Sequence, residues 1–128
     1  MSMISKILIV DDSPVSRKIM KSCMPADQQY ELVEAGDGQS GIDKYVEFQP
    51  DVTFMDLTMP VMDGMQALQE IIKIDPKAIV IVCTADVQMK TIFKVMNFGA
   101  LMVVRKPINK QAIDDALRKA GDKLKNIN

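Results

Sequence analysis

Five short apolar runs alternate with segments of helical periodicity along this chain, and this alternation limits the fold more than any other feature. The apolar runs cover residues 6–10, 30–35, 51–56, 78–83 and 100–105. Apolar spacing predicts helices over about 14–23, 38–48, between Gly64 and Asp75, over about 87–98 and over about 109–124. Strands that alternate with helices in this way form a parallel sheet that is covered on both faces.

The length of the chain selects an open sheet over a closed barrel. A barrel of eight strand–helix units needs about 250 residues, whereas this chain has 128. We therefore predict an α/β domain of five βα units, a doubly wound parallel five-stranded sheet in the order 2-1-3-4-5 between two layers of helices. In such a sheet, the ligand crevice lies beyond the carboxyl ends of strands 1 and 3.

Composition and charge remove several classes of function. The absence of histidine excludes histidine-dependent hydrolases and histidine-based zinc sites. Cys23 and Cys83 lie in apolar patterns without CxxC spacing, so we interpret them as packed, unreactive thiols of a reducing compartment. The formal net charge of −1, without a basic run, argues against nucleic-acid binding. Only four apolar residues precede the first aspartates, too few for a signal peptide or membrane span, so we expect a cytoplasmic protein without membrane association.

Polar residues follow four of the predicted strands at the point where each strand ends. They are Asp11 and Asp12 after strand 1, Asp56 at the end of strand 3, Thr84 after strand 4 and Lys106 after strand 5. Because the carboxyl ends of parallel strands meet at one edge of the sheet, we expect these side chains to converge. Each residue alone is unremarkable in a loop, but the five together predict a functional site.

The residue types at this edge favour magnesium and phosphoryl transfer. Three crowded carboxylates repel one another unless a cation shares the space. Mg²⁺ is suitable, with the three aspartates, a backbone carbonyl of the following loop and water as ligands, whereas zinc and copper prefer sulfur or imidazole. The Asp56 carboxylate can then act as a nucleophile toward phosphorus, while Mg²⁺, Lys106 and the Thr84 hydroxyl bind the phosphoryl oxygens.

Four motifs resemble those of response-regulator receiver domains. They are Ile-Leu-Ile-Val-Asp-Asp-Ser at residues 7–13, Met-Asp-Leu-Thr-Met-Pro-Val-Met-Asp-Gly at residues 55–64, Thr84-Ala85, and Lys106-Pro107. The four motifs occur in the order and at the spacing that the family has, and together they span nearly the whole chain. It implies the CheY-like, flavodoxin-like three-layer fold and a stand-alone receiver. The domain would span residues 3–124, followed by a short polar tail at 125–128 and no effector domain.

The resemblance also implies how the phosphoryl group and the metal ion are held. Asp56 would accept the phosphoryl group from a phosphohistidine on a sensor histidine kinase or a histidine phosphotransfer protein, which supplies the histidine that this chain lacks. Asp12 and Asp56 would bind Mg²⁺ directly, with Mn²⁺ as an alternative ion. Asp11 would bind it through water, and the Thr58 backbone carbonyl would complete the protein ligands. The protein would thus be a phosphoacceptor rather than an enzyme acting on other substrates.

The remaining positions of the family pattern have their own implied roles. Thr84, Ala85 and Lys106 would bind the phosphoryl group, and the peptide bond between Lys106 and Pro107 would be cis. Thr58 and Asp86, each two positions after a site residue, would tune the lifetime of the phosphate.

One position departs from the family. Receiver domains usually have an aromatic residue three positions before the lysine, and this chain has Val103 there. A β-branched side chain is stiff at χ1 and has little to swing inward, so we expect activation to act through the loop after strand 4 and through helix 4.

Helix 4 carries more apolar residues than a single buried stripe uses. They are Val87, Met89, Ile92, Phe93, Val95, Met96 and Phe98. Two interpretations stay open: a wide core stripe with isolated exposed methionines, or a docking surface made of helix 4, strand 5 and helix 5. In the second interpretation, Met89, Phe93 and Met102 contact an unknown output protein or a second copy of the chain as a homodimer.

Three other functions compete with the receiver hypothesis. A receiver-fold scaffold would bind partners independently of phosphorylation. An aspartyl phosphatase would need an acid–base residue two positions after its nucleophile, where this chain has Thr58. An FMN carrier would need a loop of small neutral residues after strand 1, where Asp11 and Asp12 would repel the FMN phosphate.

Overall fold

The computed structural model describes residues 4–59 and 62–127, in which five strands alternate with five helices. The elements are β1 (Lys6–Val10), α1 (Pro14–Ser22), β2 (Glu31–Ala35), α2 (Gly38–Phe48), β3 (Val52–Asp56), α3 (Gly64–Ile74), β4 (Val80–Thr84), α4 (Met89–Asn97), β5 (Met102–Arg105) and α5 (Lys110–Ile127). The strands form one parallel sheet in the order β2-β1-β3-β4-β5, which confirms the predicted topology.

Alternate residues of each strand enter two separate cores. In β1, Ile7 and Ile9 pack in the core that also contains residues of α1 and α5. Leu8 and Val10 pack in the core that contains residues of α2, α3 and α4. The sheet is therefore covered on both faces, which explains why its central strands are continuously apolar.

Side chains in the loops that follow the strands start three of the helices. The Ser13 hydroxyl accepts a hydrogen bond from the Ser16 amide at 3.1 Å, with Pro14 as the first residue of α1. Asp37 and Asp63 accept the corresponding amide hydrogen bonds at the starts of α2 and α3. Only Asp11 and Asp12 lie between the end of β1 and the capping residue Ser13, so both stay near the edge of the sheet.

Several predicted boundaries differ from the structure by a few residues. β4 starts at Val80, because the amide of Ala78 donates to the carbonyl of Asp75 in a turn. α4 is shorter than predicted, because Gln88 and Phe98 are its caps. β5 starts at Met102.

The end of the chain also differs from the prediction. α5 continues through Ile127, so residues 125–127, expected in a polar tail, extend the last helix. Met3, at the expected start of the domain, Pro60 and Val61 of the second motif, and Asn128 lie outside the described residues. Among the described helices, none combines the length and hydropathy that a membrane crossing requires.

Candidate functional site

The carboxyl ends of β1, β3, β4 and β5 meet at one edge of the sheet. An open cleft of about 410 Å³ at this edge is lined by every residue that was predicted to handle metal or phosphate. These residues are Asp11, Asp12, Asp56, Thr58, Thr84, Ala85, Asp86 and Lys106. The structure thus brings together side chains that are up to 95 positions apart in the sequence.

Three carboxylates form the acidic part of this cleft. One carboxylate oxygen from each of Asp11, Asp12 and Asp56 lies within 4.8 Å of the others. Asp11 and Asp56 are both only 7% exposed, whereas Asp12 is exposed to solvent. The Nζ atom of Lys106 lies 2.9 Å from Asp11 Oδ2 and 3.2 Å from Asp56 Oδ1, so one ammonium group joins the two buried carboxylates.

Burial and a neighbouring negative charge both change the pKa of Asp56 in the same direction. Desolvation raises the pKa of the Asp56 carboxyl, and the negative charge of Asp11 raises it further, against the opposing effect of Lys106. Burial alone would lower the pKa of Lys106. Its hydrogen bond to Asp11 and the charge of Asp56 outweigh that effect, so the pKa of Lys106 lies above its usual value and the side chain is a cation.

The two carboxylates of the first loop differ in their freedom to bind a cation. Asp11 Oδ1 accepts a hydrogen bond from the Ser13 amide at 2.9 Å, and Asp11 Oδ2 accepts from Lys106. The carboxylate of Asp12 forms no hydrogen bond or ion pair within residues 4–59 and 62–127. The donor set of three carboxylates is what a hard divalent cation such as Mg²⁺ prefers, and Asp12 is the most available ligand.

Thr84 and Lys106 are held by backbone contacts at the ends of β4 and β5. The hydroxyl oxygen of Thr84 accepts a hydrogen bond from the amide of Asp86 at 3.0 Å. The amide of Lys106 donates to the Thr84 carbonyl at 2.9 Å, and the peptide bond between Lys106 and Pro107 is cis. Ala85 is exposed beside them and leaves the mouth of the cleft open.

The predicted partner face is partly exposed. Met89 is 62% and Phe93 is 59% exposed on α4, while Val95 of the same helix is fully buried. Met102 and Val103 on β5 are half-buried and line a groove between β5 and α5. The apolar excess in helix 4 therefore lies partly at the surface and partly against the core, and both interpretations of this helix stay open.

Both cysteines are packed thiols. Cys23 and Cys83 are free and buried, and burial raises the pKa of the Cys83 thiol to about 12. At neutral pH the reactive thiolate form of Cys83 is therefore scarce.

Two features of the site were missed in the sequence. Arg17 on α1 donates to the backbone carbonyl of Asp11 at 2.6 Å and to Glu34 on β2 at 2.9 Å. The signal in the sequence was a basic residue, Arg17, shortly after two aspartates, together with an acidic residue, Glu34, in the second strand.

The second missed feature is an apolar groove that adjoins the cleft between α1 and the loop after β5. Ile19 and Ile108 are among its lining residues. Ile19 is half-exposed in this groove.

The sequence is similar to those of known receiver proteins. The family model described as the response regulator receiver domain matches residues 7–118. The chain is 38% identical over 115 residues to the chemotaxis protein CheY of Thermotoga maritima. This alignment covers 89% of this chain and 95% of that protein.

Solved structures show the same similarity. A response regulator receiver domain protein from Clostridium thermocellum has a TM-score of 0.88 at 29% identity, with 98% of this chain and 100% of that chain covered. A chain of the CheX-CheY-BeF3-Mg complex from Borrelia burgdorferi has a TM-score of 0.84 at 27% identity, with 88% of this chain and 86% of that chain covered. The chain belongs to the family of response regulator receiver domains.

Proposed function

We propose that this receiver domain accepts a phosphoryl group on Asp56 from a phosphohistidine of a sensor histidine kinase or a histidine phosphotransfer protein. The observation that carries this proposal is the position of the Asp56 carboxylate in an open cleft, 3.2 Å from the Lys106 ammonium and within 4.8 Å of two further carboxylates. As a receiver domain, the chain is a signalling protein rather than a classical enzyme. The only chemistry that we propose for it is the gain and loss of its own phosphoryl group.

The transfer uses the Asp56 carboxylate as the nucleophile. One carboxylate oxygen attacks the phosphorus atom, the new P–O bond forms as the P–N bond to the partner's imidazole breaks, and the bonding electron pair goes to that nitrogen. Burial and the charge of Asp11 oppose ionisation of Asp56, and the Lys106 ammonium at 3.2 Å favours the carboxylate form that attacks. Lys106 and the Thr84 hydroxyl lie at the same edge, where they can bind phosphoryl oxygens.

The acidic residues would hold Mg²⁺ for this step, or Mn²⁺ in its place. Asp12 and Asp56 are the proposed direct ligands, with the backbone carbonyl of Thr58. Both carboxylate oxygens of Asp11 already accept hydrogen bonds, which favours a contact through water for this residue. When bound, the ion supplies positive charge that neutralises the phosphoryl oxygens. The Borrelia CheY complex, whose crystals contain Mg and BeF3, supports this assignment.

Thr58 and Asp86 flank the opening of the cleft, and we propose that they set the lifetime of the phosphate. Thr58 is exposed at the cleft wall. The Asp86 carboxylate accepts hydrogen bonds from the Gln88 amide and the Thr91 hydroxyl, so its charge is held close to the start of α4. Single replacements by alanine are expected to change the dephosphorylation rate without abolishing phosphorylation.

The proposed output surface combines Met89, Phe93 and Met96 on α4 with Met102 on β5, which lies on the side of the sheet that faces α5. The three helical residues are between 43% and 62% exposed, and Lys90 and Lys94 are exposed beside them. Flexible methionine side chains adapt to different partner surfaces. Met89→Glu is expected to weaken binding of an output protein, or dimer formation, while Asp56 is still phosphorylated. Sedimentation analysis with and without phosphorylation separates the dimer from the monomer.

The first experiment is intact-mass and phosphosite analysis after incubation with Mg²⁺ and acetyl phosphate, beside Asp56→Asn. We expect one acid-labile phosphoryl group on the wild-type chain, and none without Mg²⁺ or in the variant. Absence of phosphorylation in a folded chain that binds Mg²⁺ would contradict the proposal.

That negative outcome would support a second candidate, a scaffold that binds partners regardless of phosphorylation. The observation in its favour is Val103, which lies half-buried on β5 at the position of the usual aromatic switch. A scaffold of this kind would bind its partner equally well as the wild type and as Asp56→Asn.

A further inference from the structure

Arg17 connects three elements beside the acidic cleft. Its Nη1 atom donates to the backbone carbonyl oxygen of Asp11 at 2.6 Å. Its Nε atom donates to Glu34 Oε1 on β2 at 2.9 Å, and Lys21, one turn further along α1, holds the other oxygen of Glu34 at 3.0 Å. The guanidinium group thus joins α1 and β2 to the loop that carries the two aspartates.

The carbonyl that Arg17 contacts belongs to the peptide unit between Asp11 and Asp12. The amide on the other side of Asp11 is also fixed, because it donates to the carbonyl of Ala35 at 3.0 Å. The Asp12 carboxylate, in contrast, has no hydrogen-bond partner in the part of the chain that the structure describes. The direction in which Asp12 extends into the cleft therefore depends on the orientation of its backbone.

We propose that Arg17, held in place by Glu34, is a positioning residue that orients the peptide unit between Asp11 and Asp12 and thereby presents the Asp12 carboxylate to Mg²⁺. This inference rests on the proposed metal-dependent function. It assigns to a side chain outside the ligand set a part in metal affinity, as partners of metal ligands commonly have.

The chemistry of arginine suits this role and that of lysine does not. A guanidinium group offers donors in a rigid fork, so it can bind the Asp11 carbonyl and the Glu34 carboxylate at once. A lysine at this position would keep the positive charge but could not hold both acceptors in the same geometry. Hydrogen bonds from Lys21 and Arg17 lower the pKa of Glu34 against the effect of burial, so Glu34 is ionised at neutral pH and keeps Arg17 in position.

The test compares Arg17→Lys and Arg17→Met with Lys21→Met as a matched control. Arg17→Met and Lys21→Met both remove one positive charge that contacts Glu34, but Lys21 forms no contact with Asp11 in the described structure. Arg17→Lys keeps the charge and removes the fork. Thermal unfolding without metal checks that each variant is folded.

Two readouts report on positioning, and neither is phosphorylation. The first is the dissociation constant for Mg²⁺ measured by calorimetry, which we expect to rise about tenfold in both Arg17 variants and to stay near the wild-type value in Lys21→Met. The second is the amide chemical shift of Asp12 in the metal-free protein, which we expect to change in both Arg17 variants and not in Lys21→Met.

Wild-type affinity in Arg17→Lys would overturn the inference, because charge alone would then be sufficient. An equal loss of Mg²⁺ affinity in Arg17→Met and Lys21→Met would also overturn it, because the positive charge and not the contact with Asp11 would then determine the affinity. Both results leave the proposed function intact, since the wild type still binds Mg²⁺ and is phosphorylated. If the wild type itself binds no Mg²⁺, the inference and the metal-dependent function are both rejected.

Discussion

The amide of Asp86 donates a hydrogen bond to the hydroxyl oxygen of Thr84 at 3.0 Å, which joins the end of β4 to the loop before α4. The carboxylate of the same Asp86 accepts from the Gln88 amide at 3.1 Å and from the Thr91 hydroxyl at 2.8 Å. Gln88 provides no side-chain cap for α4, and the Asp86 carboxylate instead links the Gln88 amide to the Thr91 side chain in the first turn. Movement of the Thr84 hydroxyl toward a phosphoryl group would remove an acceptor from the residue that holds the start of α4.

Thr91→Val should weaken this connection without changing the cleft. The variant keeps the shape of the side chain and removes the donor to Asp86, so we expect a loss of about 1 kcal/mol in the free energy of unfolding, the usual net contribution of one hydrogen bond. Phosphorylation should proceed as in the wild type, while the resulting amide shifts in α4 should become smaller in NMR spectra. If phosphorylation changes the α4 amide shifts of the variant as much as those of the wild type, the signal reaches α4 by another route.

Gly64→Ala should disturb Asp56 directly. A Cβ atom on Gly64 would overlap the backbone carbonyl oxygen of Asp56, and the Gly64 amide also donates to Leu57 at 3.0 Å. We expect a loss of about 1–3 kcal/mol in unfolding free energy by urea denaturation, together with slower phosphorylation.

Gly121→Ala is the matched control for this prediction. An added Cβ on Gly121 in α5 meets no atom within 4 Å, so the helix should gain about 0.5–1 kcal/mol in stability. A stability loss of similar size in both variants would contradict the steric explanation for Gly64.

Thr53→Val should stabilise the protein. Thr53 is fully buried in β3, and its hydroxyl oxygen has no hydrogen-bond partner among the described residues. An unsatisfied buried hydroxyl costs about 1 kcal/mol or more, whereas valine has the same shape and suits a strand. Urea denaturation should show the gain, and a loss of stability would indicate that the hydroxyl is hydrogen-bonded in solution.

The ion pairs of Glu34 should make stability depend on pH in the acidic range. Hydrogen bonds from Lys21 and Arg17 hold the pKa of Glu34 below its ordinary value of 4.5. A lowered folded-state pKa gives stability that is present above 4.5 and is lost as the pH falls through the folded-state value. The wild type should therefore melt at a higher temperature than Glu34→Gln at neutral pH, and the difference should shrink below pH 4.5. A difference that is constant with pH would exclude the ionic contribution.

The fold could be predicted because the central strands are apolar on both faces and each helix has at least one apolar stripe. The starts of two strands were predicted too early, because the apolar residues Ala78 and Leu101 lie in the connections before β4 and β5 and not in the strands. α5 continued past its predicted end because the periodicity weakens after Leu124 without a residue that stops a helix.

The convergence of Asp11, Asp56 and Lys106 could be predicted because parallel topology alone places strand ends together. The contacts of Arg17 could not be predicted in the same way. They depend on the rotation of α1 over β2, which brings Arg17 to Glu34 across 17 positions of sequence. Spacing within one helix carries no information about a neighbour in another element.

The bridge that Lys106 forms between Asp11 and Asp56 has a consequence for the formal charge of the cleft. The four aspartates that line the cleft, Asp11, Asp12, Asp56 and Asp86, and the single ammonium group leave a balance of −3, which one divalent cation reduces to −1. Phosphate donors are anions and would meet strong repulsion in the metal-free cleft but much weaker repulsion once the cation is bound. The ion would therefore control entry of the donor as well as the reaction, and its effect on the encounter rate should weaken as ionic strength rises.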